Sequence, residues 1–155
     1  KEKMPDACIG VDVIVGFPGE TEDEFMKTVD FIRSLEVSYL HVFTYSERAN
    51  TTALRIEDVI PMQVRQERNK ILTNISHKKK RAFYETQIGS ERPVLWEGSE
   101  SDGVMNGFTD NYVKVQKPFD EESVNETEVL VLGNIDRNGL ISVGIDADMM
   151  TVSED

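Results

Sequence analysis

The sequence predicts an α/β chain in two parts: a parallel β–α–β unit, and a small antiparallel β-barrel reached through a long helical connector. Three observations predict it. Residues 9–16 and 39–45 are short, β-branched apolar runs on either side of one amphipathic helical pattern. Residues 61–88 hold helical spacing throughout. From residue 89 onward, strand-like pieces recur between turn signals.

The run Ile9-Gly-Val-Asp-Val-Ile-Val-Gly16 reads as a buried strand ended by Gly16-Phe-Pro-Gly19. Thr21 stands where a helix N-cap belongs, and Glu24 three residues on completes a capping box. Phe25, Val29, Ile32 and also Phe31 supply the apolar stripe of a helix over 22–35. Residues 39–45 form the second strand. A helix between two such strands makes them parallel, and their apolar centres predict helices on both faces of the sheet. Residues 46–60 read as a polar loop. Pro61 suits the first turn of the connector, in which Val64, Ile71, Leu72, Ile75, Ala82 and Phe83 mark the apolar positions. That length leaves room for a break or for two packed helices.

Strands are predicted at 93–97, 112–116, 127–133 and 140–145. Turn signals lie at Ser101-Asp-Gly103, Thr109-Asp-Asn111 and Asp136-Arg-Asn-Gly139. So many short strands in so short a stretch predict a small closed barrel over 89–147, followed by an acidic tail over 148–155.

The 155 residues carry a net charge of −12, which argues against a general nucleic-acid glove. The charge is uneven. Residues 1–60 hold 6 basic and 12 acidic groups, residues 61–90 hold 7 and 2, and residues 91–155 hold 4 and 15. The single basic island is Lys78-Lys79-Lys80-Arg81. It is either a solvated helix face or a set of RNA phosphate contacts. No apolar run approaches the roughly 18 residues of a membrane span. The start has no signal-peptide core and no initiator Met, so a piece of a longer chain is expected. Cys8, the one cysteine, reads as a core thiol. The lack of disulfide partners fits a cytoplasmic protein.

Two segments are candidates for chemistry. Gly16-Phe-Pro-Gly-Glu-Thr21 joins a strand end to a helix N-terminus, where α/β folds bind ligands, but a structural tight turn explains it equally. It lacks the spacing and the lysine of a phosphate-binding loop. His41-Val-Phe-Thr-Tyr-Ser-Glu-Arg48 leaves the end of the next strand. His41 reads first as a core histidine. Phe43 and Tyr45, at alternate positions, would share one face and either flank a flat base or pack. Glu20, Glu22, Asp23 and Glu24 suit cap and helix-dipole roles better than an acid–base pair.

Taken in order, Asp12-Val-Ile-Val-Gly-Phe-Pro-Gly-Glu-Thr-Glu-Asp-Glu-Phe25 and Leu40-His-Val-Phe-Thr-Tyr-Ser-Glu-Arg-Ala-Asn-Thr51 resemble the radical S-adenosylmethionine (SAM) methylthiotransferases. The resemblance implies that residues 1–60 are the C-terminal part of an incomplete (β/α) radical SAM barrel and that 61–88 connect it to the barrel at 89–147. It makes Ile14, Gly16, Phe43 and Tyr45 candidate SAM neighbours. Gly107-Phe-Thr-Asp-Asn-Tyr112, followed by Val115, is similar to the Gly-x-Thr-x-Asn-Tyr pattern of that family's RNA-binding TRAM domain. Family members often carry a basic residue where Phe108 stands. The implied RNA contacts are Asn111, Tyr112 and Lys114, together with Arg48 and Lys78, Lys79, Lys80 and Arg81.

Branches of this family differ after the second strand. Tyr45-Ser-Glu-Arg48 has a basic group where the branch acting on a ribosomal protein has a second acid. Glu47-Arg-Ala-Asn-Thr51 most resembles the enzymes acting on threonylcarbamoyladenosine next to the tRNA anticodon, with the isopentenyladenosine branch close by. The implied reaction replaces the C2 hydrogen of that adenosine with a methylthio group. The implied cofactors of an intact enzyme are SAM and two four-iron four-sulfur (4Fe-4S) clusters. The clusters need cysteines, including a Cys-x-x-x-Cys-x-x-Cys run, that this chain lacks. The chain alone is therefore expected to hold no cluster or other metal and to be inactive, with no catalytic residue of its own. Its expected partners are the tRNA anticodon region and an N-terminal part of the same protein, with no membrane. The rival reading is a stand-alone RNA-binding module.

Overall fold

The computed structural model describes residues 1–143. It divides into two compact units: residues 8–82 with Lys1, and residues 2–7 with 83 onward.

In the first unit, β1 (Gly10–Val15) pairs in parallel with β2 (Tyr39–Thr44), in a register that sets Ile14 beside Phe43 and Asp12 beside His41. Between them runs α1 (Glu22–Ser34). The Thr21 hydroxyl accepts the Glu24 N–H (3.2 Å), and Glu24 Oε2 accepts the Thr21 N–H (2.8 Å), so the expected capping box is formed. Phe25, Val29 and Ile32 are buried with Val15, Leu40 and Leu72. Phe31 is 64% exposed and lies off the stripe.

The sheet is covered on one side only, contrary to the expectation of helices on both faces. Strand alternation sends Val11, Val13 and Val15 toward the helices. Ile14 and Phe43 remain about half exposed on the other face.

The connector is one unbroken helix, α2 (Met62–Glu85). In the first unit its buried positions are Arg65, Arg68, Leu72 and Ser76, so much of that inward face is polar; Phe83 and Tyr84 are buried in its last turn. Ile71 and Ala82, expected inside, are exposed. The polar face has a partner in the free edge of β2. Ser76 Oγ accepts the Leu40 N–H (2.8 Å) and donates to the Leu40 carbonyl (2.9 Å). Asn69 Nδ2 donates to the Val42 carbonyl (3.1 Å). The helix thus satisfies backbone groups that a further strand would otherwise bond, and it blunts that edge. The loop over 46–60 contains one short 3₁₀ turn, Thr52–Arg55.

The second unit is a curled five-stranded sheet. Its strands are β3 (Glu91–Ser101), β4 (Val104–Thr109), β5 (Lys114–Pro118), β6 (Thr127–Val131) and β7 (Ile141–Ser142), in the order β6-β3-β4-β5-β7. Two expectations need correction. β4 was not foreseen as a strand. Gly107 is needed there: a Cβ would lie 2.7 Å from the buried Trp96 ring. The sheet is also not wholly antiparallel, since β7 runs parallel to β5. The predicted strand at 112–116 begins later, because Tyr112 has φ 62°, outside the β region.

The turn signals hold. Asp102 (φ 55°) and Gly103 (φ 76°) form the two-residue turn between β3 and β4. At 136–139 the chain reverses, with the Asp136 N–H bonded to the Leu140 carbonyl and Ile135 bridging Ile141. Ser142 N–H also donates to the Asn134 carbonyl (3.1 Å), drawing the segment after β6 against β7. The predicted strand over 140–145 runs past the described residues, and the acidic tail at 148–155 lies outside them.

Inside this sheet the Trp96 indole N–H donates to Glu128 (3.0 Å), and Lys117 Nζ bonds both Glu128 oxygens (2.9 and 3.0 Å) and Ser123 Oγ (2.7 Å). The same ammonium stands 4.5 Å from the Trp96 ring centroid. Lys117 holds the Glu128 carboxyl below its ordinary value of 4.5.

Two outcomes are expected. Ser76→Ala leaves the Leu40 N–H and C=O without their buried partner and should cost about 1–3 kcal/mol in urea unfolding. Glu128 has a folded pKa below its unfolded one, so its contribution is present above the unfolded value and is lost as pH falls through the folded value. Glu128→Gln should therefore destabilise by about 1 kcal/mol near neutral pH, a modest figure for a partly exposed carboxylate. Its unfolding curve should converge on wild type in acid.

Candidate functional site

The carboxyl ends of β1 and β2 lie side by side, and the segments that leave them are fixed by charge. At the end of β1, Gly16 turns the chain with φ 75° and Gly19 with φ 88°. Gly16 N–H donates to Glu20 Oε2 (2.6 Å), Glu20 N–H to the Phe17 carbonyl (3.1 Å), and Gly19 N–H to the Asp58 carbonyl (2.8 Å). Glu20 is 3% exposed. Its charge is met by Arg68, whose Nη1 reaches Glu20 Oε2 (2.7 Å) and the Glu20 carbonyl (2.8 Å), while Nη2 reaches Glu22 (3.1 Å). Among the four acids read as cap and dipole residues, Glu22, Asp23 and Glu24 stand in the first turn of α1, and Glu24 closes the capping box. Glu20 instead closes the turn, which sequence spacing alone did not indicate.

At the end of β2, Tyr45 N–H bonds the Val15 carbonyl (2.9 Å). Arg65 donates to the carbonyls of Ile60 (2.7 Å) and Tyr45 (3.0 Å) and to Glu47 (2.6 Å), and its guanidinium lies 5.4 Å from the Tyr45 ring centroid. The bond from Arg65 lowers the Glu47 carboxyl pKa. The Arg65 side chain also fills the space where a Cβ on Gly16 would sit.

The four residues expected around SAM therefore separate into two pairs. Ile14 and Phe43 are cross-strand neighbours on the uncovered face, 56% and 52% exposed. Together they make an apolar surface suited to one side of a flat base. Gly16 and Tyr45 pack around Arg65, and the Gly16 N–H already has an acceptor. His41, read first as a core residue, is exposed on the open face, with its ring edge-on to Tyr39 at 5.0 Å.

The residues expected to meet RNA also divide. Arg48 is exposed, just before the left-handed Asn50 (φ 64°). In the basic island, Lys78, Lys80 and Arg81 are exposed. Lys79 Nζ donates to the carbonyls of Leu35 (2.7 Å) and Arg33 (3.4 Å), so it caps the C-terminal end of α1. In the second unit, Asn111 is buried. It accepts from Thr109 Oγ1 (2.7 Å) and donates to Gln87 Oε1 (2.9 Å) and the Asp6 carbonyl (3.0 Å). Arg92 joins the same cluster through Asp6 (2.7 Å) and Gln87 (3.1 Å). Tyr112 is 70% exposed. Lys114 Nζ lies 6.0 Å from the ring centroid of its cross-strand neighbour Phe108.

Among the described residues, no group of three or more His, Cys, Asp or Glu side chains is placed to hold a metal ion. Cys8 is partly buried, and burial pushes its thiol pKa up. These residues do not fit the ligation of an iron–sulfur cluster. Among the described residues no helix is long and apolar enough to cross a membrane.

No family model matches the chain. Curated relatives do. The threonylcarbamoyladenosine tRNA methylthiotransferase MtaB of Aquifex aeolicus is 34% identical over 131 residues, covering 84% of this chain and 30% of the relative. MtaB of Bacillus subtilis is 40% identical over 119 residues, covering 74% and 26%. The tRNA-2-methylthio-N(6)-dimethylallyladenosine synthase of Symbiobacterium thermophilum is 37% identical over 123 residues, covering 78% and 26%. The chain spans less than a third of the length of these relatives. With relatives at 34–40% identity over 74–84% of its residues, the chain belongs to the tRNA methylthiotransferases, matching the C-terminal part of their length.

Proposed function

We propose that this chain is part of a tRNA-modifying enzyme that exchanges the C2 hydrogen of threonylcarbamoyladenosine, next to the anticodon, for a methylthio group. The observation that carries the reading is the pair of strand-end motifs, Gly16–Thr21 and His41–Arg48, in a chain 34–40% identical to proteins named for that reaction. Residues 1–60 would form one wall of a radical SAM barrel, and residues 89–147 a TRAM-like RNA-contacting unit. SAM would supply the radical and the methyl group, and the clusters would be held by an N-terminal part of the protein.

Ile14 and Phe43 would hold the adenine of SAM through apolar contact. Gly16 and Tyr45 would shape that surface from behind. Arg48 and the exposed members of the basic island would meet tRNA phosphates, positioning the substrate without reading its sequence. Tyr112 and Lys114 would add a stacking ring and a cation, with Asn111 supporting the turn that presents Tyr112. A cytoplasmic location follows from a tRNA substrate. The second reading, a dimethylallyladenosine substrate, is favoured by the 37% identical Symbiobacterium relative.

The test is expression of the full-length gene in a host lacking tRNA methylthiolation, followed by mass spectrometry of digested tRNA nucleosides. The expected result is a methylthio derivative of threonylcarbamoyladenosine. The same derivative of dimethylallyladenosine would move the assignment to the second reading. Unmodified tRNA, with a gene encoding no Cys-x-x-x-Cys-x-x-Cys run upstream of Lys1, would favour the stand-alone RNA-binding module.

A further inference from the structure

Arg68 stands on α2, outside both strand-end motifs, yet its charge is delivered into the first of them. Its side chain is 5% exposed and that of its partner Glu20 is 4% exposed, so water screens neither. One guanidinium nitrogen bonds both the carboxylate and the carbonyl of Glu20, and the other bonds Glu22. The plane rests 5.2 Å from the Phe25 ring centroid, at the first turn of α1. Its Nε finds no acceptor although it is buried. The side chain is thus held by what it does for Glu20 and not by its own complete satisfaction. Glu20 passes the constraint on, since the oxygen that meets Arg68 also accepts the Gly16 N–H (2.6 Å). Gly16 directly follows Val15 at the end of β1, two residues beyond the apolar Ile14.

A fold needing only a tight turn here could use the backbone bond from Glu20 N–H to the Phe17 carbonyl and the glycines alone. Burying a charged pair carries a desolvation cost, and a well-packed apolar pair often serves stability better. Such a pair is retained more readily where one geometry must be selected.

We infer that Arg68 is a positioning residue for the SAM site: acting through Glu20, it sets the path of residues 16–20 and so the ledge beside Ile14 and Phe43. The inference rests on the proposed SAM-dependent function. Lysine cannot replace it, because a single ammonium lacks the planar fork that reaches Glu20 Oε2, the Glu20 carbonyl and Glu22 together.

The experiment uses the full-length, cluster-reconstituted protein and its Arg68→Lys and Glu20→Gln variants, with Ser76→Ala as a variant that weakens the same helix away from the turn. Three quantities are read: the SAM dissociation constant by equilibrium dialysis, hydrogen exchange of the peptide over residues 13–20 without SAM, and the melting temperature. The expected result is roughly tenfold weaker SAM binding in both turn variants, with faster exchange confined to that peptide. Ser76→Ala should bind SAM as wild type does despite a lower melting temperature. Unchanged SAM affinity in Arg68→Lys and Glu20→Gln would overturn the inference. So would a loss of affinity that follows melting temperature equally in all three variants. The function is judged separately: a wild-type protein that binds SAM but leaves tRNA unmodified overturns the proposed activity, while the three dissociation constants still decide the role of Arg68.

Discussion

The polar inward face of α2 holds the first unit together in an unusual way for a sheet-covering helix. Arg68, Asn69 and Ser76 follow Arg65 by 3, 4 and 11 residues, offsets that share one face of the helix. Each finds a backbone carbonyl, and Ser76 an N–H as well, in β2 or in the segments that follow β1 and β2. Leu72 adds the apolar contact to the core of Val15, Phe25, Val29, Ile32 and Leu40. The helix therefore supplies what a neighbouring strand would supply along the edge of β2, and it braces the carboxyl ends of both strands.

That arrangement assigns different jobs to the two sides of one sheet end. On the open face, Ile14 and Phe43 form an apolar pair, and the nearby Gly16 N–H already has an acceptor in Glu20. Behind it, Arg65 and Arg68 tie Tyr45, Glu47, Glu20 and Glu22 into a rigid frame. Buried guanidinium groups suit this frame because each can meet several oxygens at once.

The second unit repeats the theme with different residues. Asn111 is an RNA contact implied by the resemblance; its amide bridges Thr109, Gln87 and the Asp6 carbonyl, and the motif's outward element is Tyr112. Likewise Lys79, one of four consecutive basic residues, caps α1. Membership in a basic run did not distinguish it from its neighbours, because a lysine's role depends on which carbonyls its chain can reach. Phe108 beside Lys114 gives this sheet an aromatic–cation pair.

Local chemistry was legible from the sequence. The Thr21–Glu24 capping box, the stripe of Phe25, Val29 and Ile32, the parallel pairing of the two strands and the Asp102-Gly103 turn all depend on neighbours a few residues apart, or on the rule that a helix between strands makes them parallel. The motifs at Gly16–Thr21 and His41–Arg48 were legible as well, and with them the family. Tertiary structure alone decided which face of the β1–β2 sheet is covered, since an apolar centre looks the same whether one side or both are packed. It also decided that arginines and a serine, not Ile71 and Ala82, turn inward on α2. A helical period identifies a face, but the unbonded carbonyls and N–H groups of the β2 edge determine that the polar face is the one that packs. The same reason placed Gly107 within a strand and Glu20 within the turn: each residue's role is set by a partner, Trp96 or Arg68, that is distant in the chain or lies across the sheet.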